Sequence, residues 1–445
     1  MEQYSAYKNS GIEWAREIPI GWEIKRVGYL IQNLTGFAFK SELFLFDGGI
    51  KVVRGDNVTE GSLRWGDKTR YWSEISPELE RFLLQPEDIL IGMDGSKVGK
   101  NYCQVEEEDL PLLLVQRVAR LRSSENLSAR FLYYNIGSNN FLYWVDINRT
   151  DPAIPHITSK NIKDYPLCLP PLPEQEAIAA YLDRKTKQID DLIAKKERLI
   201  ELKKEERAAI INQAVTKGLD PNVPMKDSGI EWLGEIPATW KVKRLKYVTN
   251  RIIDGAHFTP TYIDDGIPFL RVTDIQQETI DLGEVKRIPQ KEHLELIKRC
   301  LPQKGDLLLS KNGTIGLTKV IDWEWEFSIF VSLCLIKFTE EVSPYFFSFL
   351  FQSNIIDQQL SESSKKTSVT NLHLDKIREL SMPVPPIADQ QELIDYLTKI
   401  TELYSTSEIK LHGQIDLLKE YKTTLISEAV TGKIKISNEQ PTTDI

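Results

Sequence analysis

The amino-acid sequence predicts an α+β protein: two similar globules separated by two long antiparallel coiled-coil helices, organised as a pseudo-two-fold internal repeat. Three observations predict it. The phrase KNSGIEWAREIPIGWEIKR (Lys8–Arg26) returns as KDSGIEWLGEIPATWKVKR (Lys226–Arg244), an offset of 218 in a chain of 445 residues. LPPLPEQEAIAAYL (Leu169–Leu182) returns as VPPIADQQELIDYL (Val384–Leu397) at nearly the same offset. Each of these proline-rich strings opens a long, charged, glycine-poor stretch. A unit of this length present twice is a duplication, since solenoids stack short units and need at least three.

The elements follow in order. After the first connector, short β-branched or aromatic runs alternate with Gly, Asn, Asp and Pro: KVVRG, DILIGM and LLLVQRVARLR, then PFLRV, DLLLS and SLCLIKF in the second half. Such runs predict strands joined by turns. SARFLYYNIGSNNFLYW and SPYFFSFLFQSNIIDQQL each have the apolar spacing of one amphipathic helix. From Glu174 to Val215 the chain has neither Gly nor Pro, with prolines leading in and Gly218 following, which is helix punctuation at both ends. The predicted boundaries are 1–168 for connector and first globule, 169–218 for the first long helix, 219–383 for the second connector and globule, and 384–445 for the second helix and tail.

The helix seam is read as Ile178, Leu182, Ile189, Leu192 and Leu199 in the first copy, with Ile193, Ile200 and Ile211 widening it. In the second it is Leu393, Leu397, Ile400, Tyr404, Leu411, Leu418, Tyr421 and Leu425, with Lys185, Lys196 and Lys203 as polar counterparts in the first. Seams in one phase predict that the two helices pair with each other. Some forty residues at 1.5 Å rise make a rod of roughly 60 Å, longer than either globule is wide. Antiparallel pairing is expected to set the globules at opposite ends. Packing of each helix on its own globule alone is the plainer alternative.

Composition narrows the function. The hydrophobic fraction of 41% and charged fraction of 27% are those of a soluble protein. No stretch approaches the roughly 20 apolar residues of a membrane span, and the N-terminus lacks a signal layout, so a cytoplasmic protein is expected. Four scattered cysteines and five histidines fall outside metal-ligand spacing, which predicts free thiols and no metal site. The net charge of −9 argues mildly against nucleic acid, but charge acts locally, and partners can supply part of the phosphate neutralisation.

Catalytic patterns are missing. GMDGSKVGKN (Gly92–Asn101) encloses three residues between Gly95 and Gly99 and lacks Ser or Thr after Lys100, so it is not a Walker A loop. Asp88, Asp94 and Lys97 imitate a magnesium nuclease set, yet the second copy keeps only Asp306 of the three. A non-catalytic chain is expected. The duplicated loops do offer groups that reach phosphates and base edges: Arg54, Asn57, Lys97, Lys100, Arg149, His156 and Lys160 in the first half, and Arg271, Lys311, Asn312, Thr314, Lys365, Lys366 and Asn371 in the second.

The repeated SGIEW connector, the helix lead-ins LPPLPEQEAIAAYLD and VPPIADQ, and INQAVTKGLDP together resemble the specificity subunit of type I restriction–modification systems, over essentially the whole chain. The second lead-in departs from the pattern at Ala388 and Asp389. The resemblance implies that each globule is a target recognition domain reading one half of a split sequence in double-stranded DNA. It implies that the helices set the spacing and dock two methyltransferase subunits, with restriction subunits in the full complex. S-adenosylmethionine, Mg²⁺ and ATP are then expected only in the partners, with adenine N6 as the methylated atom. Two alternatives stay open, a self-sufficient Mg²⁺-dependent nuclease and a coiled-coil adaptor that binds no DNA.

The connector carries a last expectation. In mid-chain it follows INQAVTKG; the second helix ends in the matching ISEAVTGK, and the phrase that should follow stands instead at residue 8. The arrangement reads as a cycle cut open, so Ser10–Trp22 is expected beside Val430–Ile436, with its tryptophans packing that joint.

Overall fold

A computed structural model describes residues 3–150, 155–277, 279–363 and 372–436. The chain forms two compact units: Met1–Lys196 with Gly413–Ile445, and Glu197–His412.

In unit 1, β1 (Tyr7–Asn9) and β2 (Glu17–Pro19) form a hairpin, and β3 (Glu23–Arg26) leads into the globule. There β4 (Ile31–Thr35), β5 (Ile50–Val53), β6 (Tyr71–Trp72), β7 (Ile89–Gly92), β8 (Tyr102–Gln104), β9 (Leu112–Leu114) and β10 (Val118–Ser123) build two sheets. One is antiparallel in the order β4-β10-β7-β8; the other runs β6-β5-β9, with β5 and β9 parallel. Then come α1 (Ala129–Ile136), α2 (Asn139–Asn148) and α3 (Ser159–Lys163), and β11 (Pro166–Leu169) returns to pair with β3. The chain thus enters and leaves the globule on two adjacent antiparallel strands. β7 is buried along its whole length because both faces of its sheet are covered, Ile89 and Ile91 joining the core with Phe131 and Phe141, and Leu90 the core with Val52 and Leu113, so its uninterrupted apolar run is what a two-sided environment requires.

After α4 (Leu172–Lys217), unit 2 repeats the plan. The hairpin is β12 (Met225–Asp227) with β13 (Glu235–Pro237), followed by β14 (Lys241–Arg244), β15 (Thr249–Asp254), β16 (Ile267–Leu270) and β17 (Arg287–Ile288). Next are α5 (Gln290–Arg299), β18 (Leu307–Ser310), β19 (Thr318–Val320), β20 (Ser328–Ile329), β21 (Leu333–Phe338), α6 (Pro344–Phe351), α7 (Asn354–Ser363) and α8 (Leu374–Glu379). β22 (Ser381–Val384) pairs with β14, and α9 (Ile387–Val430) follows. The sheet orders β15-β21-β18-β19 and β17-β16-β20 match those of unit 1 strand for strand.

Two helix expectations are corrected. Each half holds two short helices where one was expected. The first pair breaks at Gly137, and the Ser138 hydroxyl then accepts from Phe141 N to cap α2; the second breaks at Gln352 and Ser353, whose hydroxyl turns back to Leu350 O. α5 was not anticipated at all, its counterpart in unit 1 being the short 3-10 turn Glu80–Phe82.

The helices pair within each unit. In unit 1, Asp190 meets Lys422 at 2.7 Å and Lys196 meets Gln414 at 2.8 Å, so numbers rise on α4 as they fall on α9 and the pair is antiparallel. In unit 2, Lys204 lies 3.8 Å from Glu408, and Lys203 lies over the Tyr404 ring. Ile178, Leu182, Ile189, Leu393, Leu397, Tyr404, Leu411 and Leu425 are buried as expected, with Ile400 and Leu418 half-buried. Leu192 and Leu199, by contrast, are exposed at 42% and 41% and do not belong to the seam; Tyr421 is likewise exposed. On α4 the inward positions are Ile189, Ile193, Lys196, Ile200, Lys203 and Arg207, alternating steps of four and three. Leu192 and Leu199 sit one residue off this line, a rotation of about 100° on a 3.6-residue helix. The stems of Lys196 and Lys203 cover apolar surface where leucines were sought.

Gln175 and Gln390, at the same place in the first turns of α4 and α9, are buried and fully used. Gln175 accepts from Ser128 N and donates to Asn126 O and Pro170 O; Gln390 accepts from Ser343 N and donates to Glu341 O and Pro385 O. Each ties the head of a long helix to the turn before α1 or α6.

The connector joint is present in both units. Gly218 and Gly432 end α4 and α9 in left-handed backbone, as a helix-terminating glycine does. Pro237 and Trp240 pack on Gly218; Pro19 and Trp22 pack on Gly432 more tightly, so a Cβ there would lie 2.5 Å from Pro19 Cδ. Ile12, Ala15, Ile18 and Trp22 share one core with Leu425, Ile426, Ala429, Val430 and Ile434. Residues Ser10–Trp22 therefore lie against the end of α9.

Gly413, by contrast, is an exposed glycine inside α9 with open space around its Cα. Gly413→Ala is expected to raise stability by about 0.5–1 kcal/mol through helix propensity alone, read as a higher urea midpoint with an unchanged slope.

Candidate nucleic-acid interface

The loops that cap the two sheets share one backbone frame. Met93 N donates to Arg117 O at 2.9 Å, and Lys311 N donates to Ser332 O at 2.9 Å. Gly92 lies opposite Val118 as Ser310 lies opposite Leu333. Met93 thus corresponds to Lys311, Asp94 to Asn312, and Arg117 to Ser332.

In unit 1 this frame walls a cleft of ≈ 630 Å³ where Arg64, Lys97, Lys100 and Arg117 outnumber Asp56, Glu60 and Asp94. An adjoining cleft of ≈ 420 Å³ shares Gly55, Asp56, Asp94 and Arg117 and adds Arg54, Arg70 and Gln116. Lys97 and Lys100 are exposed; Arg54 is half-buried, its guanidinium 3.5 Å from Asp56. Arg149 is exposed and pairs with Asp146. His156 is half-buried, bridged through its backbone to Asp94 and Thr150. Lys160 is exposed on α3. Of these, Lys97, Lys100 and Arg54 line the clefts.

Asn57 is withdrawn. It is 4% exposed; its Oδ1 accepts from Arg54 N, and its Nδ2 donates to Arg64 O. The amide holds the turn that carries the two arginines. Arg271 and Asp274 form the equivalent turn, with Asp274 accepting both Arg271 N and its guanidinium.

Lys311 is withdrawn as well. It is 5% exposed, and its Nζ lies 2.9 Å from Asp254 Oδ2. Asp254 also takes His257 at 3.0 Å and Arg299 at 2.5 Å. Burial alone would raise this carboxyl, but hydrogen bonds from Lys311, His257 and Arg299 prevail and hold it at about 2. Asn312 is half-buried, its Oδ1 out of contact with solvent and without a hydrogen-bond partner among the described residues, and Thr314 is exposed. Lys365, Lys366 and Asn371 lie outside the described residues.

Unit 2 presents instead a groove of ≈ 470 Å³ along the edge strand β15, lined by Lys246, Arg251, Arg299 and Arg378, of which Lys246, Arg299 and Arg378 are paired with Glu379, Asp254 and Asp375. Arg64, Arg70 and Arg117 in unit 1 and this arginine set in unit 2 escaped the sequence reading. The cations leading into β15, Lys241, Lys243, Arg244 and Lys246, were the available signal for Lys246; Arg117 stands in a similar run with Arg120 and Arg122, in a stretch that reads as strand.

The nuclease set does not assemble. Asp88 is fully buried, and its two oxygens accept from Arg122 Nε and Nη2, both at 2.7 Å. Asp94 pairs with Arg117 at 2.9 Å. Asp306 repeats the structural role of Asp88, pairing with Lys337. Among the described residues no group of three His, Cys, Asp or Glu is placed to hold a metal ion, and no helix is long and apolar enough to cross a membrane.

Comparison with known proteins agrees with this architecture. The family model described as type I restriction modification DNA specificity domain matches twice, at residues 19–202 and 237–416. The EcoBI specificity subunit of Escherichia coli is 26% identical over 417 residues, covering 91% of this chain and 84% of that protein. The MjaVIII specificity subunit of Methanocaldococcus jannaschii is 24% identical over 429 residues, covering 95% of each. Among solved structures, a chain from work on assembly and conformational transition of the type I R-M system superposes with a TM-score of 0.73 at 16% identity, covering 94% of this chain and 99% of that one. The HsdS subunit from Thermoanaerobacter tengcongensis gives 0.55 at 15% identity, covering 94% and 98%. With both halves matched by one family model and the same sheets built twice, the chain belongs to the type I restriction modification DNA specificity family.

Proposed function

We propose that this chain is the non-catalytic reading subunit of a type I restriction–modification complex, in which each globule reads one half of a bipartite DNA target. The observation that carries the reading is the contrast between frame and lining. Both units keep the same sheets and the same loop hydrogen bonds, while the groups on them differ: Arg117 against Ser332, Asp94 against Asn312. One frame with two linings suits two different half-sequences, since side chains on loops, not the scaffold, carry base readout. The arginine groove along β15 suits phosphate contacts that position the duplex.

In this reading α4 and α9 set the distance between half-sites and dock two methyltransferase subunits, with restriction subunits joining the full complex. S-adenosylmethionine, ATP and Mg²⁺ belong to those partners. Cytoplasmic DNA is the substrate.

The test is the pattern of methylated bases in DNA from cells producing the chain with its cognate methyltransferase. The expected result is one motif in two specified parts with a fixed unspecified gap. A single contiguous motif, or methylation that does not depend on this chain, would overturn the reading.

A further inference from the structure

We infer that Arg117, braced by Asp94, reads a G·C pair in the half-site served by the first globule, an inference that rests on the reading above. Arg117 stands where the two clefts of unit 1 meet, and both are walled by it and by Asp94. Its side chain is 71% exposed, yet its backbone is held in the left-handed region at φ 68°. A residue other than glycine occupies that region at a cost of order 1–3 kcal/mol, and such strain gathers at binding sites. The surroundings impose it: Arg117 O accepts from Met93 N, and its neighbour Gln116 donates from N to Phe37 O at 2.8 Å.

The chemistry of the pair selects the ligand. Among the described residues the guanidinium has one partner, the 2.9 Å bond from Nη1 to Asp94 Oδ2. That bond uses one N–H group and leaves the rest of the fork, on an exposed side chain where the clefts meet, without a partner among the described residues. In duplex DNA the matching pair of acceptors is O6 and N7 of guanine in the major groove. A phosphate also accepts a fork, and the other cations of the clefts favour one, but it offers no donor to the Asp94 carboxylate beside the fork, as a base pair does. The same carboxylate suits the other half of the base pair, because an Asp oxygen accepts from the N4 amino group of cytosine. A donor fork with an acceptor at its side is thus the complement of G·C.

Unit 2 cannot repeat this contact. Its frame places Ser332 and Asn312 at the corresponding positions. The required G·C pair therefore belongs to one half-site only.

The experiment uses the full chain in complex with its cognate methyltransferase. Duplexes carry the wild-type motif with each G·C pair changed in turn to A·T, and methylation rates are compared for wild type, Arg117→Ala, Arg117→Gly and Asp94→Asn. Arg117→Gly relieves the left-handed backbone and so keeps the fold while removing the fork. For the wild type, one position in one half-site is expected to show a penalty of about tenfold or more. Both Arg117 variants are expected to abolish the penalty at that position alone, and Asp94→Asn to reduce it. Equal loss of rate on every duplex, with the salt dependence of binding lowered by about one phosphate contact, would make Arg117 a backbone contact and overturn the inference. Unchanged penalties at all positions would overturn it too while leaving the bipartite reading intact. A wild-type complex that discriminates among no duplexes would overturn both.

Discussion

Asp254→Asn is expected to destabilise unit 2 by about 3–5 kcal/mol, because it leaves the Lys311 ammonium buried without its anion. Lys311 is 5% exposed and Asp254 4%, so water cannot replace the lost partner. Unit 1 supplies the control, since Met93 fills the place of Lys311 with an apolar side chain. Lys311→Met combined with Asp254→Asn should recover most of the loss, as apolar replacement of a buried ion pair is often neutral or better. Arg299, half in solvent, tolerates the change. Urea unfolding of the four proteins, completed as a double-mutant cycle, measures the coupling. The pH dependence has a fixed sign. The folded carboxyl stays charged down to about 2, below the unfolded value of about 3.9. The ion pair's contribution is therefore full above about pH 4 and is lost as pH falls through about 2. The gap between wild type and Asp254→Asn should narrow across that window; a gap that is constant from pH 7 to 2 would refute the assignment.

Trp22→Ala is expected to cost unit 1 a similar amount, about 3–5 kcal/mol. Trp22 is fully buried against Gly432 and the end of α9, and removing it opens a cavity where the connector and α9 meet. Trp240→Ala should produce the same loss in unit 2, where Trp240 belongs to a separate core. Trp22→Phe should cost much less, since Trp22 Nε1 is a buried donor without an acceptor among the described residues and phenylalanine removes it. Hydrogen exchange resolved by segment distinguishes the units: protection should fall around 425–434 for Trp22→Ala and around 211–215 for Trp240→Ala. Uniform loss over the whole chain would contradict two independent joints.

How far the sequence spoke depended on what repetition encodes. Duplicated strings located the connectors, the starts of the long helices and the joint of Trp22, because packing that is used twice leaves the same letters twice. Gln175 and Gln390 carried that signal too: an identical polar residue at the same step of both long helices marked a shared structural task. The helix phase failed at Leu192 and Leu199 because Lys196 and Lys203 hold inward positions with their stems, and letters alone do not separate stem from charge. Asn57 and Lys311 have the chemistry of DNA contacts, but burial turned both inward. Arg117 was hidden differently. It lies in VQRVARLR, which reads as plain strand, and neither glycine nor asparagine advertises the left-handed turn there.

The joint between residues near 22 and near 432 also sets an order of events. Unit 2 is one continuous stretch, whereas unit 1 is assembled from two stretches that flank it. As the chain leaves the ribosome, everything from Glu197 to His412 can close its cores before the last partners of Ile18 and Trp22 exist. Those partners arrive about four hundred residues later, so the nascent first half waits with an apolar face uncovered. Unit 1, although first in the message, is the last to be finished.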